Sequence, residues 1–248
     1  MNSNIISFNN NSHEYSKFRP RYPKEIYEFL VDKCVDYENV WDCGCGNGQV
    51  AIDLINSFNN LYATDINQNQ IDNAFKHDKI IYSIQNSEST NFEDSFFDLV
   101  CAAQCVHWFD FTKYFNELNR VMKNGSIFSC WGYSFFEVNP EIDLIIENEL
   151  LKEIDSFWAV GNKLLHKGYD KIQFPFVQIN TEKMIMQLDW NLHELSDYIN
   201  TWSAVKLYDN NKQTKIVEKI KNRLNKIWNN EEKKRITMDL TWYVGRKL

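Results

Sequence analysis

The sequence predicts an α/β fold, a doubly wound and mostly parallel sheet with helices on both faces. Between residues 24 and 133, short apolar segments alternate with segments whose apolar residues recur at helical spacing. The stretch Phe97–Ala103 is apolar almost throughout, as in a parallel strand that is buried on both faces. Ligands of such folds bind at the carboxyl ends of the strands, so we expect the functional site there.

The predicted elements follow one another regularly in the first half of the chain. A helix is expected over 24–34, because Pro23 suits the first turn of a helix. The strands that follow are predicted over 40–43, 61–64, 80–84, 97–103 and 126–132. The helices between them are predicted over 49–58, 67–76 and 111–122. Asn124 and Gly125 are expected to end the last of these helices.

The second half of the chain gives a less regular pattern. Between residues 141 and 235 we expect helices and a short strand pair, around 176–179 and 184–188. The basic stretch 212–235 is interpreted as an amphipathic helix with a solvated lysine face. Its apolar stripe consists of Ile216, Ile220, Leu224 and Ile227. A closing strand is predicted over 237–244.

Composition limits the possible partners. The chain has 248 residues, 27 Lys and Arg, 34 Asp and Glu, and a net charge of −7, which disfavours broad contact with phosphate backbones. No apolar run approaches the roughly 20 residues of a membrane helix, and the N-terminus lacks the apolar core of a signal peptide. We therefore expect a cytoplasmic protein, a monomer or homodimer, with a small-molecule substrate and neither nucleic acid nor membrane as partner.

The cysteines are expected to be reduced, buried side chains, as is usual in a cytosolic enzyme. They are Cys34, Cys43, Cys45, Cys101, Cys105 and Cys130. Cys43 and Cys45 have C-x-C spacing, but no nearby His or Cys cluster completes a tetrahedral zinc site. No metal site is expected.

The densest glycine cluster directly follows the first strand. Gly44, Gly46 and Gly48 lack Cβ atoms, so a ligand can lie against the backbone where the next helix begins. Asp65 follows 21 residues after Gly44, at the end of the second strand, where its oxygens can accept hydrogen bonds from both ribose hydroxyls of an adenosine. A tight turn without a ligand is the alternative. The G-x-G-x-G spacing differs from the dinucleotide turn, so a pyrophosphate is not favoured.

The segment 42–48 (DCGCGNG) resembles the first motif of class I S-adenosylmethionine-dependent methyltransferases, and Asp65 matches their ribose-binding acid. Further motifs follow in the family's order: 86–88 (NSE), 97–100 (FDLV) and 118–125 (LNRVMKNG). Within this superfamily, three other segments resemble the small-molecule group that includes trans-aconitate methyltransferases. They are 15–23 (YSKFRPRYP), 104–109 (QCVHWF) and 201–204 (TWSA).

The resemblance implies a Rossmann-like fold with a seven-stranded sheet, a last strand antiparallel to the fifth, and S-adenosylmethionine as cofactor. It implies a single domain with an N-terminal lid and helix over 1–36, a cofactor-binding core over 37–135, a helical cap and substrate region over 136–235, and the last strand over 236–248. The cofactor-binding residues would be Asp42, Gly44, Gly46, Gly48, Asp65, Ile66, Ser87, Glu88 and Gln104. Ile66 would face the adenine, and Ser87 and Glu88 would contact its edge.

The residues at the end of the fourth strand limit the class of methyl acceptor that we expect. The segment 102–108 (AAQCVHW) has neither the Asn- or Asp-Pro-Pro-Tyr motif nor the Pro-Cys nucleophile of base-modifying methyltransferases. An oxygen of a small molecule is favoured. A carboxylate fits best, because it is already a nucleophile and needs only cations to position it, whereas a hydroxyl needs a base.

The catalytic candidates are His107 and Arg19. His107 would face the methyl group as donor or base, and the alternative is a core histidine with satisfied hydrogen bonds. No second acid–base residue is expected to orient it. Arg19 would hold a carboxylate of cofactor or substrate. The remaining substrate candidates are Tyr15, Arg21, Trp108, Trp131 and Trp202, with surface ion pairing as the alternative for Arg21 and packing as the alternative for the tryptophans.

Two other functions remain open at this stage. The same fold could bind a ligand without catalysis, or bind a nicotinamide cofactor. A methyltransferase with another acceptor, such as a phenol or a nucleic acid, is the second alternative, and the acidic composition disfavours the nucleic acid.

Overall fold

The computed structural model describes residues 19–248 and confirms the alternation of strands and helices. The strands are β1 (Asn39–Cys43), β2 (Asn60–Asp65), β3 (Ile80–Ile84), β4 (Phe97–Ala103), β5 (Met122–Tyr133), β6 (Val177–Gln178), β7 (Met184–Trp190) and β8 (Lys234–Arg246). The helices are α1 (Lys24–Lys33), α2 (Gln49–Leu54), α3 (Gln68–Asp72), α4 (Phe111–Val121), α5 (Pro140–Ile146), α6 (Lys152–Ile154), α7 (Val160–His166), α8 (Leu192–Asn200), α9 (Ser203–Lys212) and α10 (Ile216–Leu224).

Within the described residues, these strands form one sheet in the order β3-β2-β1-β4-β5-β8-β6, with β7 paired to β8 outside this path. Strands β1 to β5 are parallel, and β8 runs antiparallel to β5, as the resemblance implied. The two short strands near 176–179 and 184–188 do form, as β6 and β7. Each of them pairs with the long strand β8.

The chain divides into two compact units. The core unit contains residues 21–133, 167–184 and 240–248, and therefore β1 to β6, helices α1 to α4 and the last part of β8. The helical unit contains the described residues 19–20 together with 134–166 and 185–239. Among residues 19–248, none of the helices has the length and apolar character needed to cross a membrane.

The expectation that Asn124 and Gly125 end a helix is wrong. Helix α4 ends at Val121, because Met122 is extended and pairs with Phe97 of β4. Gly125 lies inside β5 with φ +83°, and its N–H donates to the carbonyl of Lys247. A left-handed glycine is common both after helices and at strand bulges, and here the strand pairing decides between them.

Several helices are shorter than their sequence patterns predict. Helix α2 ends at Leu54 and α3 covers only Gln68–Asp72. In the basic stretch, α10 ends at Leu224, and Ile227 lies beyond it with 37% of its surface exposed. Within the helix the apolar stripe therefore ends at Leu224, three positions before Ile227, while Ile216 and Ile220 are buried as expected.

Candidate active site

The glycine turn between β1 and α2 has three left-handed residues, Gly44, Gly46 and Gly48, with φ of +63°, +53° and +81°. A Cβ atom on Gly48 would lie 2.1 Å from the hydroxyl of Tyr82, and one on Gly44 would lie 2.9 Å from Cys105. These two glycines are required by packing as well as by φ. Among the atoms of residues 19–248, a Cβ atom on Gly46 would meet none closer than 3.8 Å, so these residues leave the space beside Gly46 open to a ligand.

Asp65, at the end of β2, is bonded to the glycine turn. Its Oδ2 accepts from the backbone N–H of Gly46 at 2.9 Å, and its Oδ1 accepts from that of Asn67 at 2.8 Å. Burial raises the pKa of this carboxyl, while the two N–H groups act in the opposite direction. Each carboxylate oxygen has a further acceptor position, so these bonds are compatible with binding a ribose.

Asp42 supports the start of helix α2. Its Oδ2 accepts from the backbone N–H of Ala51 at 3.0 Å, which satisfies one of the N–H groups that a helix leaves unpaired in its first turn. The side chain is only 3% exposed, and burial raises its pKa to about 8. The bond that the structure gives Asp42 therefore holds the start of α2.

Groups able to bind an adenosine surround this turn. Three of the buried polar atoms that have no hydrogen-bond partner within residues 19–248 belong to this region: Tyr82 Oη, Gln70 Oε1 and Asn67 Nδ2. Buried polar atoms of this kind usually indicate a ligand or water that completes them. Ile66, directly after Asp65, leaves 55% of its apolar surface exposed. These residues fit the cofactor that the resemblance implies.

The predicted adenine contacts have structural partners of their own. Ser87 is buried, and Glu88 Oε1 accepts from the backbone N–H of Asp110 at 2.9 Å. Asp110 in turn caps α4, because its side chain accepts from the N–H of Lys113. Glu88 therefore helps to place the start of α4, and its contact with adenine stays a prediction.

Gln104 marks the point where the chain leaves β4. It has φ +55°, which is uncommon for a residue other than glycine, and such strain is often found at functional sites. Two hydrogen bonds hold it against β5: its N–H donates to the carbonyl of Trp131 at 2.8 Å, and its Nε2 donates to that of Tyr133 at 3.0 Å. The next residues form a single helical turn, Val106–Trp108, which carries His107.

His107 is only 7% exposed, and its Nδ1 lies 2.9 Å from the hydroxyl of Tyr169. The two rings are 6.0 Å apart and nearly parallel, and the ring of Trp108 lies 4.9 Å from His107. The expectation that no second acid–base residue orients His107 is wrong. Tyr169 comes from a segment 62 residues further along the chain, and no motif there indicated it.

The comparisons with known proteins agree with this geometry. Residues 41–130 match the family model described as a methyltransferase domain. A solved structure from Anaeromyxobacter dehalogenans, assigned as a type II methyltransferase, is 28% identical, with a TM-score of 0.84, and the alignment covers 92% of this chain and 97% of that one. The chain is an S-adenosylmethionine-dependent methyltransferase.

Curated relatives extend the likeness over most of this methyltransferase. A protein of Dictyostelium discoideum named as a methyltransferase is 25% identical over 201 residues, which is 79% of this chain and 76% of the relative. A methyltransferase-like protein of Schizosaccharomyces pombe is 25% identical over 213 residues, 81% of this chain and 79% of the relative. The similarity therefore extends beyond the glycine turn and its strands.

Besides Trp108, two substrate candidates lie in the core unit of the methyltransferase. Trp131 is fully buried at the end of β5, with the ring of Tyr22 at 5.6 Å, and its Nε1 has no hydrogen-bond partner among the described residues. Arg21 forms an ion pair with Asp53, which is the alternative that the sequence left open. Binding a substrate would require Arg21 to leave this exposed pair, and its role stays a prediction.

Other candidates lie in the helical unit or outside the described residues. The guanidinium of Arg19 lies 5.5 Å from the ring of Tyr198. Trp202 is buried and packs against Tyr198 and Phe135, which supports the packing alternative without testing a substrate role. The group of rings formed by Trp202, Tyr198 and Phe135 also contains His166. Burial lowers the pKa of His166 to about 4, and the sequence analysis did not indicate this residue. Tyr15 lies outside the described residues.

The six cysteines are free and buried, as expected. Cys105 lies next to His107 in the chain, and its Sγ donates to the carbonyl of Cys43 at 3.0 Å. Burial raises the pKa of this thiol well above its usual value, so it remains protonated and a poor nucleophile. Within residues 19–248, no group of three His, Cys, Asp or Glu side chains is placed to hold a metal ion.

Proposed function

We propose that this methyltransferase transfers the methyl group to an oxygen of a small organic molecule, and that the oxygen belongs to a carboxylate. The pairing of His107 Nδ1 with the phenol of Tyr169 carries the proposal. A histidine that removes a proton from a hydroxyl is commonly oriented by a carboxylate, which stabilises the imidazolium. A buried phenol supplies no such charge. A carboxylate acceptor fits this site because it is ionised at neutral pH and needs no base.

The chain's own residues would bind and align the reactants. S-adenosylmethionine supplies an electrophilic methyl group on a sulfonium. The open space at Gly46 would receive the amino-acid tail, Asp65 the ribose, and the exposed surface of Ile66 the adenine. His107 would donate to the acceptor, and the assignment of Arg19 to a carboxylate of cofactor or substrate stays a prediction. Holding both partners in line is the main contribution that a methyl transfer to a ready nucleophile requires.

The charge and thiol content support a small acceptor and a reducing compartment. A net charge of −7 disfavours broad contact with the phosphate backbone of a nucleic acid. Free, buried cysteines are typical of the cytoplasm, which we propose as the location, with the protein a monomer or homodimer. Small polycarboxylic acids, similar to the substrates of trans-aconitate methyltransferases, are the first acceptors to test.

The test uses S-adenosylmethionine labelled in its methyl group and three acceptor panels: small mono-, di- and tricarboxylic acids, phenols, and oligonucleotides. We expect label in the acids and release of that label as methanol by mild alkali, because an ester is hydrolysed and an ether is not. The Gly46→Val variant serves as the control for background methylation. Label only in phenols, stable to alkali, or only in oligonucleotides would overturn the proposal.

A further inference from the structure

The hydroxyl of Tyr169 has one hydrogen-bond partner among residues 19–248, the Nδ1 atom of His107 at 2.9 Å. The tyrosine is 3% exposed, so water does not offer an easy alternative. Its surroundings include the thiols of Cys105 and Cys130, and burial raises the pKa of its hydroxyl well above the usual value. Tyr169 is therefore a neutral phenol with a proton to donate.

The direction of this hydrogen bond follows from the partners available. A buried hydroxyl that donates to nothing loses free energy, so the O–H of Tyr169 must point to an acceptor. Within the described part of the chain that acceptor is His107 Nδ1, which accepts only when it carries no proton. A neutral imidazole has one N–H group, and its proton is then on Nε2.

We propose that Tyr169 is a positioning residue that holds His107 in the Nε2–H tautomer, so that His107 acts on the acceptor as a hydrogen-bond donor and not as a base. Nε2–H can donate to a carboxylate oxygen, but it has no lone pair to receive the proton of a hydroxyl. The inference rests on the proposed function for the identity of the acceptor and extends it. It restricts the acceptor to oxygen acids that are ionised before they bind.

The backbone at Tyr169 supports a positional role. Gly168 and Tyr169 are consecutive left-handed residues, with φ of +71° and +60°. Such a conformation is strained for a bulky residue and persists where the surroundings require it. The carbonyl of Tyr169 accepts from the N–H of Ile172 at 2.9 Å, which closes the turn. This turn sets the side chain of Tyr169 beside the His107 ring.

The test is nitrogen-15 NMR of the histidine ring nitrogens in the full-length protein, over a pH series that includes the neutral ring. The His107→Gln spectrum identifies the His107 signals among the five histidines. In the wild-type protein we expect Nδ1 to resonate as an unprotonated nitrogen and Nε2 as a protonated one. A wild-type spectrum with the proton on Nδ1 would overturn the inference.

Two tyrosine variants sharpen the result. Tyr169→Phe keeps the ring and removes the donor, so we expect the His107 signals to move to a mixture of both tautomers. Tyr243→Phe is the matched control: this tyrosine is in the same unit, its hydroxyl donates to the carbonyl of Phe176 at 2.9 Å, and it should leave the His107 signals unchanged. Unchanged signals in folded Tyr169→Phe would contradict the role of Tyr169.

A kinetic readout separates this inference from the proposed function. With a free acid that the wild type methylates as substrate, Tyr169→Phe should raise KM for the acid roughly tenfold and leave the affinity for S-adenosylmethionine unchanged. An unaltered KM would contradict the role of Tyr169. If no acid accepts methyl but the NMR shows Nε2–H, the proposed function fails and the tautomer stands. If acids are methylated and the NMR shows Nδ1–H, the tautomer fails and the proposed function stands.

Discussion

Within the core unit, the ends of β1 and β2 differ from the end of β4 in the kind of group that holds their side chains in place. At the ends of β1 and β2, Asp42 and Asp65 are held by backbone N–H groups of Ala51, Gly46 and Asn67. At the end of β4, the ring of His107 is held by a side chain, that of Tyr169. Backbone donors are present whatever the neighbouring side chains are, whereas a side-chain partner exists only while that residue is retained. In the proposed site, the ends of β1 and β2 form the cofactor end and the end of β4 forms the acceptor end. The acceptor end should therefore be the more sensitive of the two to substitution of a neighbouring side chain.

Among the variants at the cofactor end, Gly46→Val is expected to have the largest effect on cofactor binding. The valine would occupy the open space beside the turn, so affinity for S-adenosylmethionine should fall at least about 100-fold, or roughly 2.8 kcal/mol. Its φ of +53° also strains the fold, by about 1–3 kcal/mol. Calorimetric titration and urea unfolding measure the two effects.

Gly125→Val is the control for Gly46→Val. Gly125 has φ +83°, and no atom of residues 19–248 lies within 4 Å of its added Cβ, so it should show the strain without the loss of binding. If both variants bind the cofactor like the wild type, the three glycines form a turn and no ligand site.

Asp65→Asn should weaken cofactor binding by about 1–3 kcal/mol, because charge-assisted hydrogen bonds to ribose are lost. The same variant should unfold more easily, since an amide cannot accept from both Gly46 and Asn67. Titration and urea unfolding measure these changes. Asp72→Asn, an exposed exchange in α3, is the control and should change neither value. An unaltered dissociation constant in Asp65→Asn would contradict its assignment to the ribose.

Asp42→Asn tests whether the pKa of the buried Asp42 carboxyl is raised, and the measurement is the pH dependence of the unfolding free energy. Its folded pKa is about 8 and its unfolded pKa about 3.9, so the folded protein binds more protons between these values. Stability from this group is present at low pH and is lost as the pH rises toward 8. The unfolding free energy of the wild type, relative to the variant, should fall with pH by at most about 1.4 kcal/mol per unit. The asparagine Oδ1 can still accept from Ala51. A difference that does not change with pH would show that Asp42 is ionised in the folded protein.

The cofactor end could be predicted because its information is local. Three glycines within five residues require left-handed backbone, and Asp65 follows at the spacing of one βαβ unit. The buried parallel strand β4 was likewise given by an apolar run with the observed bounds. The hydrogen bonds from Asp65 to the turn were not predicted, because they depend on the register of β1 against β2.

The acceptor end could be predicted only in part. The motif that contains His107 placed this residue correctly after β4. Tyr169 is far away in the chain, and a tyrosine does not indicate the left-handed backbone that this position has. Gly125 shows the same limit, because one residue pattern suits both a helix end and a bulge in β5. Contacts between distant segments decide these cases, and a single sequence does not encode them in a local pattern.

The most direct test of the central claim is the pH dependence of turnover, at saturating acceptor, in the wild type and in His107→Gln. If the acceptor is an ionised acid, turnover should depend only weakly on pH between 6 and 9, and the variant should keep turnover within about tenfold, because the glutamine amide can still donate. Cofactor affinity should be unchanged. A loss of roughly 10²–10⁴-fold, restored by a more acidic acceptor, would show that His107 is a base and that the acceptor is a hydroxyl.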